Sequence, residues 1–282
     1  MSQQALAQQI RFIGEKYRLY AGIFNLIIGI ISNISIIVVF TTLRLFRANQ
    51  TAFYFIAESI SNIGLLLTLN IPKIFTAFIN YDPAQSSVIW CKLQTMLLQA
   101  FALFSLFNIC FLSFDQYLST NARATCRQKS TLKLAHRLTS FNVCFVILHG
   151  VTALIFTEIQ SSMGCNVYNP IARRYYTFFY YPILANSFPL TFILTSSLLA
   201  YRNVRRIIRL QQPVFRRRLD SQLTAMTLAR VIVLGICGFP YIIISLYQLN
   251  LSITADDYMK IAIITLLSII FASLLHVNFT VN

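Results

Sequence analysis

Charged side chains are scarce in this sequence. Asp, Glu, Lys and Arg together make up 11% of its 282 residues, where a soluble domain carries about 25%. Too few charges remain to cover a water-facing surface, while hydrophobic residues reach 57% and mean hydropathy is +0.66. A lipid bilayer is the solvent this composition calls for. Cysteine pairs of the Cys-x-x-Cys kind are absent among the 6 cysteines, which argues against a zinc or thiol-redox centre. His-Glu-x-x-His, Gly-x-Ser-x-Gly and P-loop patterns are absent too. His136, His149 and His276 are scattered. No enzyme activity, cofactor or metal site is expected. Linkers and low-complexity tracts are also missing, so one membrane bundle is expected. Residues 1–19 are polar and read as an N-terminal segment, extracellular in the topology below. The apolar run that begins near Tyr20 is too long for a signal-peptide core and reads as an uncleaved anchor.

What is present is a series of long apolar runs. A membrane helix needs about 20 mostly apolar residues, and runs at approximately 20–42, 52–76, 91–118, 138–158, 176–200, 225–248 and 259–282 qualify. The runs are continuous rather than alternating, which favours helices over barrel strands. The expected fold is an all-α membrane protein, a seven-transmembrane helix bundle.

The net charge of +15 raises the question of nucleic acid, and placement answers it. Most basic residues fall in the connectors 43–51, 119–137 and 201–224, including Arg44, Arg127, Lys133, Arg205 and Arg216 to Arg218. That is the asymmetry of cytoplasmic loops, so lipid and not nucleic acid is the expected partner. Arg11, Lys16 and Arg18 precede the first span on the other side and run against the pattern.

Polar groups inside a bilayer are costly, and several lie within the runs: Asn33, Glu58, Asn62, Ser105, Asn108, Asn278 and Asn282. They form either interhelical hydrogen bonds, each contributing about 0.6–2 kcal/mol, or a functional network. Pro72, Pro182, Pro189 and Pro240 interrupt the runs, as static bends or as hinges.

The order of these features resembles the rhodopsin-like (class A) G-protein-coupled receptor family over nearly the whole chain. Gly29-Ile-Ile-Ser-Asn33 is similar to the family's first helix, and Glu58-Ser-Ile-Ser-Asn62 to its second. Trp90-Cys91 opens the third span, and Asp115-Gln116-Tyr117 stands where the family has Asp-Arg-Tyr. Cys165 lies in the next outer loop, Phe188-Pro189 in the fifth span, and Cys237-Gly238-Phe239-Pro240 where the family has Cys-Trp-x-Pro. His276-Val-Asn278-Phe-Thr-Val-Asn282 resembles the lead-in to Asn-Pro-x-x-Tyr. On that alignment the sequence stops at the motif's asparagine and is expected to be a fragment or truncated. The likeness is to divergent, lineage-expanded orphan receptors of invertebrates.

Departures from the pattern bear on signalling. Gln116 replaces the arginine that meets the G protein, and Asp220 stands at the acidic position at the base of the sixth helix, so a Gln116–Asp220 hydrogen bond is expected to replace an ion pair. Gly238 replaces a tryptophan. Asn62 replaces an aspartate, which removes the anionic ligand from a sodium site that Asn33, Ser105, Asn278 and Asn282 would line; Glu58 is a candidate substitute.

The resemblance and the topology together imply a Cys91–Cys165 disulfide between the third span and the second outer loop. Cys110, Cys144 and Cys237 read as small packing residues, and Cys126 as a reduced cytoplasmic thiol. Asn250-Leu-Ser252 is a glycosylation sequon. Carried over by depth in the matching helices, the ligand pocket is expected to involve Gln94, Leu98, Gln99, Asn186, Tyr241, Tyr247, Gln248 and His276. Leu98 stands where amine receptors carry aspartate, and His276 where opsins carry lysine, so neither a biogenic amine nor covalent retinal is expected. A peptide, a lipid or a small neutral odorant remains. The implied mechanism is an outward swing of the sixth helix about Pro240 that admits a heterotrimeric G protein, with Asp115, Gln116, Tyr117 and Asp220 at the switch. A non-signalling decoy receptor and a membrane transporter are the alternatives.

Overall fold

A computed structural model describes residues 3–43, 49–79, 81–160, 164–207, 214–250 and 258–280. Seven of its helices are long and apolar enough to cross a membrane. They are α1 (Gln3–Thr42), α2 (Gln50–Ile79), α4 (Val88–Ser119), α6 (Leu132–Phe156), the composite fifth span, α9 (Val214–Asn250) and α10 (Tyr258–Thr280). Short helices α3 (Pro83–Ser86) and α5 (Ala124–Arg127) lie in the connectors. The fifth span runs through α7 (Pro170–Tyr175), a π-helical stretch (Tyr176–Ser187) and α8 (Phe188–Ile207). Pro182 lies inside the π-helical stretch, where its missing N–H would break an α-helical ladder.

Among the described residues, three connectors set the start of the helix after them through a polar side chain. Ser87 accepts from the Trp90 amide at 3.4 Å, Thr131 from the Leu134 amide at 3.2 Å, and Asn169 from the Ile171 amide at 2.9 Å. These are N-caps that satisfy orphan first-turn donors. Pro170 follows Asn169 at the first helical position, where no N–H is needed.

The packing is inverted relative to a soluble protein. Asn33, Glu58, Asn62, Ser105 and Asn108 are wholly buried, while Leu148, Ile236 and Phe141 are among the most exposed side chains. That distribution suits a hydrocarbon solvent, in which outward Leu and Ile cost nothing and polar groups must find partners inside. The first span packs against the second and the seventh, and the third packs against the second, fourth and fifth. Leu106, Ile109 and Cys110 of the third span form one core with Ile193 and Leu234.

Three expectations change. The helix that carries the first span starts at Gln3, ahead of the apolar run that begins near Tyr20. At 1.5 Å per residue its 40 residues reach about 60 Å, twice the roughly 30 Å hydrocarbon core. Ala7 and Gly14 are buried, and a Cβ on Gly14 would lie 3.3 Å from Ile269 of α10. Gly14 thus lets the polar N-terminal segment lie close against the seventh span. Second, the fourth span ends at Phe156, and residues 157–160 instead form strand β1, paired antiparallel with β2 (Gly164–Val167). Gly164 has a φ of +72°, a conformation that suits glycine. Third, Cys144 is exposed on the outside of the bundle rather than packed within it, whereas Cys110 is buried.

Candidate functional site

Cys165 lies on β2, and the hairpin brings it to the start of the third span. The Cys91–Cys165 disulfide forms with a Cα–Cα distance of 5.8 Å. It pins the β1–β2 hairpin at one end of the bundle. Cross-linking residues 74 apart in sequence removes chain entropy equivalent to about 4–5 kcal/mol in the unfolded state.

Below this hairpin a chamber of about 300 Å³ opens between the third, fifth, sixth and seventh spans. Leu98, Gln99, Asn186, Tyr241 and His276 all line it, as do Leu65, Tyr180, Tyr181, Leu190 and Leu234. Its walls are mainly apolar, as small-molecule sites commonly are. Gly238 also lines it, so the place that carries a large ring in the pattern described above is here empty volume. Gln99 is held by donating to the Tyr176 hydroxyl at 3.2 Å, and that hydroxyl lies 3.2 Å from Thr152 Oγ1. Nearby, His149 Nε2 lies 2.9 Å from the Tyr175 hydroxyl.

The remaining expected pocket residues divide. Gln248 lines a neighbouring space under the hairpin with Cys165, Asn166, Arg173 and Tyr241. Gln94 lines another cavity, beside Glu15, Arg18, Lys73 and Asp82, and donates to the Thr68 carbonyl at 3.5 Å. Tyr247 lines none of these cavities and is 45% exposed. At about 100° per residue, Tyr241 and Gln248 share one helix face, and Tyr247 points to another. Sequence reasoning missed Arg18 and Lys73 as cavity residues. The available signal was a lysine next to Pro72 inside an apolar run, since intramembrane cations line cavities.

Deeper in the bundle a polar relay crosses four spans. Ser105 Oγ donates to Asn62 Oδ1 at 2.8 Å; Asn62 Nδ2 donates to Asn33 Oδ1 at 3.4 Å; Asn33 Nδ2 donates to the Phe279 carbonyl at 3.0 Å. Glu58 is wholly buried one turn from Asn62, and Asn278 is buried beside the relay's last acceptor. Asn282 lies outside the described residues, as does the Leu251–Ser252 part of the sequon.

At the end of the bundle opposite the disulfide, Gln116 Nε2 donates to Thr227 Oγ1 of the sixth span at 2.9 Å. The side chains of Asp220 and Asn250 are outside the described residues, so the sixth-span partner that Gln116 shows is Thr227. Asp115 is buried and accepts from Ser130 Oγ at 2.9 Å, which in turn accepts from Gln50 Nε2 at 2.8 Å. This joins the third span to the second through the connector between the third and fourth spans. Tyr117 is half-buried with its ring 6.4 Å from Phe114.

Seven membrane-crossing helices, a disulfide-pinned hairpin and a chamber between the helices beneath it define a seven-transmembrane helix bundle. The family model of the seven-transmembrane receptors of the rhodopsin family matches residues 32–282, and the chain belongs to that family. A search of curated proteins finds no match to this chain. The protein is therefore a multi-pass membrane protein with receptor-type function.

Proposed function

We propose that the protein converts binding of an extracellular ligand in the chamber into activation of a heterotrimeric G protein at the opposite end. In this reading the N-terminus and the disulfide face the outside and the arginine-rich connectors face the cytosol, as the basic asymmetry favours. The observation that carries the reading is the reach of one helix. α9 lines the chamber through Gly238 and Tyr241, either side of Pro240, and meets Gln116 through Thr227. A ligand that favours one position of this helix at Tyr241 alters the contact at Thr227. Such a ligand acts only if it binds the open arrangement more tightly than the closed one. Asp115, Gln116, Tyr117 and Asp220 then form the coupling end, and the Asn33–Asn62–Ser105 relay with Glu58 and Asn278 sets the resting arrangement of the spans between.

Gln116 also favours a second reading, a receptor that binds ligand without signalling. The neutral amide is engaged by Thr227 and offers no cation to a G protein. Membranes containing the chain are compared with empty membranes for nucleotide exchange on a panel of G proteins. Exchange above background by the native chain supports signalling. Exchange that appears only with Gln116→Arg supports the non-signalling reading. Tags placed near Met1 and Arg217 test the topology, and finding both on one side of the membrane would overturn it.

A further inference from the structure

The chamber shares wall residues with a neighbouring space that carries basic side chains. A second space of about 260 Å³ adjoins it and shares Leu69, Tyr241 and His276 with it. The lining of that space includes Arg18 and Lys73 and no acidic residue. A third space, of about 530 Å³, continues from Arg18 and Lys73 towards the disulfide end. The carboxylates there are already engaged: Glu15 pairs with Arg18, and Asp82 Oδ1 accepts from the Ala84 amide at 2.9 Å.

Lys73 is the cation these partners do not satisfy. It is half-buried in the second span, and no carboxylate stands within ion-pair distance of it among the described residues. It lies eleven residues beyond Asn62, about 16 Å along the helix at 1.5 Å per residue. Holding a cation at such a site is costly unless an anion accompanies it. Asn25 and Asn70 also line the space; their Nδ2 groups donate to the Ser273 carbonyl at 3.4 Å and the Leu66 carbonyl at 2.9 Å, and each keeps a second N–H for an anionic group. Gly22 gives room beside Asn70: a Cβ there would lie 2.7 Å from Asn70 Oδ1.

Resting on the receptor reading, we propose that the ligand is a free single-chain acid, with a carboxylate or phosphate head held by Lys73 and Arg18. Its apolar tail passes His276 and Tyr241 into the chamber walled by Leu65, Leu190 and Leu234. The basic mouth and the apolar chamber are the two halves of one amphiphile site. A neutral ligand would leave Lys73 unmatched, and a cationic one would be repelled.

The test uses the full chain in phosphatidylcholine nanodiscs, with tritiated decanoate as probe and empty discs as background. Saturable binding is expected, displaced by decyl phosphate and not by equal concentrations of decanol or propanoate. Lys73→Gln should weaken decanoate binding about tenfold to a hundredfold, the effect of losing one charged hydrogen bond, and Lys73→Arg should retain it. Absence of saturable binding, displacement by decanol as effective as by decanoate, or a Lys73→Gln chain that binds like the native one would each overturn the proposal. Should Lys73→Gln fail to fold, Arg18→Gln at the exposed rim provides the same comparison. Loss of decanoate binding in discs containing phosphatidylserine would overturn the free-acid assignment in favour of a bilayer lipid. Because no G protein is present, the result is independent of the nucleotide-exchange experiment, and each reading can fail without the other.

Discussion

Gln116 of the third span and Thr227 of the sixth are joined by a 2.9 Å hydrogen bond at the end of the bundle away from the disulfide. Both side chains are buried, so water does not replace the bond when the helices are together. It ties together the two helices whose separation, in the function proposed above, would admit a partner.

Thr227→Val removes the acceptor while keeping the shape of the side chain. A typical hydrogen bond contributes about 0.5–1.5 kcal/mol net, so the closed population should fall about twofold to tenfold relative to the open one. Distances between spin labels on α4 and α9 should shift towards the longer component. An unchanged distance distribution would mean that this bond does not restrain the sixth span.

The disulfide should be the largest single covalent contribution to stability. Cys165→Ser, Cys91→Ser and the double variant are expected to lose a similar amount, about 2–5 kcal/mol. The melting temperature of the native chain under reducing conditions should fall to that of the variants. A single variant much less stable than the double one would show that the free thiol left behind, rather than the missing cross-link, dominates.

Asn62 is the middle of the relay, accepting from Ser105 and donating to Asn33. Asn62→Leu leaves two buried polar partners without their bond, at a cost of about 1–3 kcal/mol, read as a lower melting temperature. Asn62→Asp supplies the anionic oxygen that a sodium site needs. Its melting temperature should rise with sodium concentration, and that of the native chain should not. Sodium dependence in the native chain would show that Glu58 or another group already serves as the anion.

Gly238→Trp is expected to close the chamber. A Cβ at Gly238 would meet Leu275 at 3.7 Å, an ordinary contact, so the first carbon fits and the ring must enter the space beyond. Decanoate binding should fall more than tenfold with little change in melting temperature. Retained binding would place the tail elsewhere.

The seven runs were legible because each is a continuous apolar stretch, and the disulfide because its cysteines flank elements that the family resemblance orders. Helix ends were less legible. Residues 3–19 look polar because Gln, Arg and Lys are spread around the helix, while Ala7 and Gly14 form a narrow buried stripe that composition does not show. Two of the three cations there, which ran against the charge asymmetry, have local partners: Arg18 pairs with Glu15, and Lys16 lies 4.6 Å from the Phe12 ring centroid. Five of the expected ligand residues meet in the chamber because depth in a helix fixes height, but rotation about the helix axis decides orientation. That rotation separated Tyr247 from Tyr241. Cys144 failed for the same reason, since position in the middle of a span does not distinguish the lipid face from the interior.

The last acceptor of the polar relay is a main-chain oxygen, that of Phe279. No exchange of the side chain at that position deletes the link. What the relay registers is where the seventh helix stands, not which residue it carries there, so a small slide of that helix would be felt at Ser105 through Asn33 and Asn62.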